Sequence, residues 1–207
     1  MLTIIDYGMG NLRSVYMALG RLGVEAEITA DPEKVRCAEA LIFPGVGAFG
    51  DAMENIRTRG LDEAMASVIH AGCPFLGICL GLQLLFEASD EMGEHRGLGI
   101  LPGRVRRFPE GMVVPHMGWN QLHQVRDIPL WRGIPDASYA YFVHSYYVDP
   151  EDASVVAATT DYGISYVSAV ARDNVYGIQC HPEKSQDVGA RILRNFVVEA
   201  GLLEGDE

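Results

Sequence analysis

The chain has 207 residues, 48% of them hydrophobic, enough for one domain with a sizeable core. A formal net charge of −12 excludes the basic face that a nucleic-acid partner needs. No apolar run approaches the roughly 18 residues of a membrane span, and MLTIIDYGMGN lacks the basic region of a signal peptide, so a cytoplasmic protein is expected.

In chain order, LTIID (2–6) reads as a strand ended by the glycine-rich YGMGN. Leu12, Val15, Tyr16, Leu19 and Leu22 then fall at helical spacing, and Gly23 stops them. A second strand is predicted over Glu25 to Thr29 and a third over ALIFPG (40–45). One helix is predicted from Asp51 to Ile69, with Gly72 closing it before the strand PFLGIC. LGLQLLFEA reads as the next helix. The resulting order β-α-β-β-α-β-α is that of an α/β fold, with a mostly parallel central sheet and helices on both faces. Ligands gather at the carboxyl ends of such strands, where the loops after Asp6, Phe43 and Ile78 lie.

The second half is strand-rich: GILPGRVRRFP, SYAYFVHSYYVDP, SVVAATTDYG, ISYVSAVAR and NVYGIQCHPEKS. DYG (161–163) and RDN (172–174) read as hairpin turns, so antiparallel strands extend the sheet. An amphipathic helix is predicted from Asp187 to Leu202. A single domain over 1–202 and a flexible tail over 203–207 are expected.

Cys79 sits between Gly77 and Gly81 where the PFLGI strand meets the LGLQ helix. This is the G-x-nucleophile-x-G elbow with a thiol in it. Such a turn is strained, and glycines remove the side chains that would clash across it. A helix N-terminus aimed at the sulfur favours thiolate, and the Leu80 N–H is placed to meet an oxyanion. A buried structural cysteine fits the same pattern. The four cysteines (37, 73, 79 and 180) contain no C-x-x-C pair, so reduced thiols and no metal site are expected.

A nucleophilic cysteine needs a base and the base an orienter. His181 in YGIQCHPEKS follows an apolar strand. Pro182 keeps it extended, so Glu183, two residues on, shares its side and can fix its tautomer. A surface HPE turn without chemistry is the alternative. His144, within FVHSYYV, is a rival base that lacks a carboxylate two residues on. Cys180 points away from His181 and is expected to be buried. YGMGN resembles a dinucleotide fingerprint, but Arg13 stands at its third glycine position, and no cofactor is expected.

GICLGLQ together with HPE resembles the class I, Cys-His-Glu glutamine amidotransferase family, and the likeness extends over almost the whole chain. Within it, DYGMGN, PGVGAFGDAM, MGWN and FVHSYY resemble the branch whose glutaminase delivers ammonia to a barrel cyclase in histidine biosynthesis. The resemblance implies that Cys79 attacks glutamine, with His181 and Glu183 completing the triad. It places Leu80 and the Gly45-Val46-Gly47 backbone at the oxyanion, and Gln83, Glu91, Ser145 and Tyr146 on the substrate. It puts Asn11, Trp119, Tyr141 and Lys184 at the cyclase junction. A glutaminase serving another synthase, such as that of pyridoxal phosphate, is the runner-up. A redox-active binding protein fits the intact set Cys79, His181 and Glu183 less well, and a cysteine peptidase on a similar sheet is separated by glutamine-dependent ammonia release.

Overall fold

The computed structural model describes residues 1–205. The first half runs β1 (Leu2–Ile5), α1 (Leu12–Arg21), β2 (Ala26–Thr29), α2 (Pro32–Arg36), β3 (Ala40–Gly45), α3 (Phe49–Thr58), α4 (Leu61–His70), β4 (Phe75–Cys79) and α5 (Leu80–Gln83). The second half supplies β5 (Phe86–Ser89), β6 (His95–Arg96), β7 (Leu101–Arg107), β8 (His116–Gln124), β9 (Ser138–His144) and β10 (Tyr146–Pro150). It ends with β11 (Val156–Tyr162), β12 (Ile164–Arg172), β13 (Val175–Ile178) and α6 (Gln186–Glu199).

Among the described residues the strands form one 13-stranded sheet, in the order β2-β1-β3-β4-β13-β12-β10-β7-β5-β6. The block β2-β1-β3-β4-β13 is wholly parallel. From β13 onward, antiparallel pairing predominates, through β12, β10 and β7. β11 joins β12 to β8, and β8 pairs with β9. Both expected hairpins form, with Tyr162 opposite Ile164 and Arg172 opposite Val175.

Alternation along the parallel strands builds two cores. Leu2, Ile4, Ala40, Ile42, Leu76 and Ile78 face one side, against α1 and α6. Ile5, Leu41, Phe43 and Phe75 face the other, against α2, α3 and α4. Burial on both faces explains why these strands read as continuous apolar runs.

Four local expectations need correction. The helix expected over Asp51–Ile69 is two helices, because Gly60 takes φ +67 and breaks the ladder after Arg59. α2 adds an element where a connection is expected between the second and third strands, although Asp31 caps it by accepting from Glu33 N at 3.0 Å and Pro32 stands in its first turn. The helix after Cys79 lasts one turn, and Phe86–Ser89 becomes β5, paired with β7. His144 ends β9 rather than lying mid-strand. Of the expected tail, Leu203 packs partly buried on the core and Glu204 accepts, through its carbonyl, from Arg194. Residues 206–207 lie outside the described residues.

Candidate active site

β3 and β4 end side by side, with Gly45 in register with Cys79. Cys79 itself adopts φ 54, ψ −110, a left-handed conformation that costs a side-chain-bearing residue about 1–3 kcal/mol. The flanking glycines make the turn possible. A Cβ on Gly77 would sit 2.6 Å from the Gly81 carbonyl oxygen, and one on Gly81 would overlap the Phe43 carbonyl oxygen. The one-turn α5 aligns only a few peptide dipoles, so the expected helix field at the sulfur is weaker than that of a full helix.

Cys79 lines a cavity of about 310 Å³, in the range of small-ligand sites. Val46, Gly47, Leu80, Gln83, Glu91, Ser145 and Tyr146 line it too, joined by Pro115, Val143 and His144. Gly45 is buried in β3 and stays out of the lining. Gly47 has φ +106, open to glycine without strain, while the Val46 side chain is 40% exposed. Gln83 is not on a solvated helix face. It is buried, and its Nε2 donates to the Tyr146 carbonyl at 2.9 Å. Glu91 lies in the turn after β5, where its Oε2 accepts from Phe49 N at 2.7 Å, tying it to the start of α3.

His181 and Glu183 come together as expected, by a different route. Pro182–Lys184 forms a 3-10 turn rather than extended chain. That turn brings Glu183 Oε1 to 2.9 Å from His181 Nδ1, with both side chains almost wholly buried. The other ring nitrogen, Nε2, is buried without a hydrogen-bond partner. Burial pulls the imidazolium down, but Cys79 and Glu183 outweigh it and raise His181 to about 10. Cys180 is fully buried, and its thiol is pushed up, chiefly by burial.

Behind the cavity lies a polar cluster that local patterns did not reveal. His144 Nδ1 is 2.8 Å from the Tyr146 carbonyl, which can only accept, so that nitrogen carries the proton. His144 Nε2 then faces His116 Nδ1 at 3.3 Å and the Tyr166 hydroxyl at 3.2 Å. Asn120 Nδ2 reaches His116 Nε2 at 3.3 Å. Burial drives His144 down to about 3 against the carbonyl bond, and burial lowers His116 as well. A neutral, fully engaged His144 is a wall of the cavity.

The four residues expected at a partner junction divide. On β8 and β9, Trp119 lies opposite Tyr141 with ring centroids 5.9 Å apart. Lys184 Nζ stands 5.7 Å over the Tyr141 ring. Met117 and Tyr139 lie on the same face, and Met117, Trp119 and Tyr139 are each about half exposed or more. Asn11 is outside this cluster. It precedes α1, which packs against the 182–184 turn.

No helix among the described residues is long and apolar enough to cross a membrane. A family model described as glutamine amidotransferase class-I matches residues 3–200. An imidazole glycerol phosphate synthase subunit HisH from Syntrophotalea carbinolica is 55% identical, over 95% of this chain and 98% of that one. The protein of the same name from Desulfitobacterium hafniense strain Y51 is 53% identical, over 95% and 93%. A crystal structure of a glutamine amidotransferase superposes with TM-score 0.76 at 23% identity, over 96% of this chain and 98% of that one. PurLQS from Thermotoga maritima gives 0.77 at 18%, over 96% and 97%. By the family match along nearly its whole length and by relatives more than half identical, the chain belongs to the class I glutamine amidotransferases.

Proposed function

We propose that this chain is the glutaminase subunit of an imidazole glycerol phosphate synthase, hydrolysing glutamine and passing ammonia to a cyclase subunit. One observation carries the chemistry. A strained thiol lines a small cavity, and it acts together with Glu183 on the buried His181 imidazole, whose hold on its proton both groups strengthen. The pathway rests on the relatives of that name.

The Cys79 thiolate attacks the side-chain amide carbon of glutamine, and the carbonyl electron pair moves to oxygen. The Leu80 N–H and the backbone of Val46 and Gly47 receive that charge. His181, charged and held by Glu183, gives its Nε2 proton to the amide nitrogen, which leaves as ammonia. A glutamyl thioester remains. The now neutral His181 takes a proton from water, hydroxide attacks the thioester, and glutamate departs with the thiolate restored. Glu91 faces the cavity as a carboxylate for the α-ammonium, while Gln83, Ser145 and Tyr146 line the substrate's path. Trp119, Tyr141 and Lys184 form the docking face for a barrel cyclase, with Asn11 at its margin. An exposed aromatic cluster beside a lysine is the composition of an interface hot spot.

The test compares two nitrogen sources. In the complex with cyclase, Cys79→Ala is expected to abolish glutamine-dependent synthesis and retain synthesis from added ammonia. Glutamine-dependent turnover surviving in that variant would remove Cys79 from the mechanism.

A further inference from the structure

Gln179, the residue between β13 and Cys180, is completely buried and takes no part in the cavity lining. A buried amide is unfavourable unless its hydrogen bonds are met. Its Nε2 lies 3.6 Å from Cys79 Sγ, and its Oε1 lies 3.1 Å from Gln83 Nε2. We propose that Gln179 holds an N–H against the Cys79 sulfur and so favours its thiolate, with Gln83 fixing the direction of the amide. This deepens the reading of Cys79 as a nucleophile and rests on it.

The direction follows from donor and acceptor logic. The Tyr146 carbonyl only accepts, so the group of Gln83 that faces it is the NH₂. The second hydrogen of that NH₂ points at Gln179, so Gln179 must present its oxygen there. Its nitrogen is left facing the sulfur. The amide of Gln179 is therefore set by a carbonyl on β10, two hydrogen bonds away. Its backbone is fixed as well, since Gln179 N donates to the Ser168 carbonyl at 2.8 Å.

The sulfur's second contact favours the opposite protonation state. The Val143 carbonyl, 4.0 Å away, can engage only the thiol, as acceptor of its S–H. Once the proton passes to His181, that contact turns unfavourable and the Gln179 N–H becomes a bond to a charged acceptor, roughly twice as strong as a neutral one. With α5 only one turn long, a side-chain donor supplies what a full helix terminus would otherwise supply.

The test reads Cys79 directly, without glutamine. Purified chain is alkylated with iodoacetamide across a pH series, and modification of the Cys79 peptide is followed by mass. Gln179→Leu is expected to move the half-maximal pH upward by about one unit, a tenfold change in the thiolate-to-thiol ratio. The whole profile is needed, because a less stabilised thiolate is also more nucleophilic at a given pH. Gln179→Glu moves it further, since a carboxylate then faces the sulfur. Gln83→Leu leaves Gln179 in place but frees its amide to rotate, and moves the profile the same way by a smaller amount. A profile that stays put in whichever of these variants keep the parent's melting curve overturns the proposal. The alkylation result is independent of the Cys79→Ala test, so a failed glutaminase reading and a failed Gln179 reading are separately visible.

Discussion

Replacing Gly81 with alanine adds one methyl group at the most crowded point of the elbow. The new Cβ would overlap the Phe43 carbonyl oxygen and stand 2.9 Å from its carbon. Both belong to β3, which is hydrogen-bonded on both sides in the parallel block and has no flexible end to yield. The elbow and the strand must part by about an ångström, and misplacing a reacting group by that much costs about 100-fold in rate. Overpacking of this kind costs about 1–3 kcal/mol. With a urea slope near the upper end of about 1–3 kcal/mol per molar, the unfolding midpoint should fall by about 0.3–1 M. Gly20→Ala is the control. Nothing lies within 4 Å of its added Cβ, and it sits inside α1, so the same methyl should stabilise by about 0.5–1 kcal/mol. The measurements are urea unfolding and glutamine turnover in the cyclase complex. Gly81→Ala with the parent's midpoint and turnover would refute the argument that these glycines exist for steric reasons.

Two further outcomes follow from charge and exposure. His144, driven by burial to about 3 in the fold against 6.5 for an unperturbed histidine, binds its proton more readily when unfolded. Its contribution to stability is full above pH 6.5 and is lost as pH falls, at about 1.4 kcal/mol per unit down towards pH 3. His116, lowered too, adds to the same slope. His181 is raised, so its contribution is full below 6.5 and fades only as pH rises towards 10, outside that window. His144→Asn should therefore flatten the fall in urea midpoint between pH 6.5 and 4.5, and an unchanged slope would place the uptake elsewhere. Trp119→Ala removes the centre of the exposed aromatic cluster and should weaken cyclase binding by at least about tenfold in a titration. Parent affinity would move the docking face off β8 and β9.

What was legible in the sequence was what neighbours in the chain decide. The elbow showed because glycines two residues either side of Cys79 have one steric purpose, and the parallel block because its strands alternate with helices and β1, β3 and β4 are apolar on both faces. Asp31-Pro32 announced α2 by capping chemistry, yet the segment is too short for periodicity to reveal it. LGLQLLFEA suits a helix as well as a strand. Pairing with β7, far away in sequence, makes its second half β5. His181 and Glu183 meet, but through a 3-10 turn rather than strand alternation. Gln179, His116 and Tyr166 gave no local signal, because their partners arrive from elements distant in the chain: Gln83 from α5, His144 from β9.

The β8–β9 ribbon writes two messages on alternate letters. Even-numbered residues, among them His116, Leu122, Ala140, Phe142 and His144, turn into the core and the histidine cluster. Odd-numbered residues, Met117, Trp119, Tyr139 and Tyr141, turn outward. Substitutions can thus rewrite the outer vocabulary, adapting the chain to a changed partner, while the buried histidine cluster keeps its spelling. An insertion or deletion of one residue has no such freedom, since it exchanges the two alphabets at once. Over evolutionary time this ribbon should drift by point substitution and hold its length.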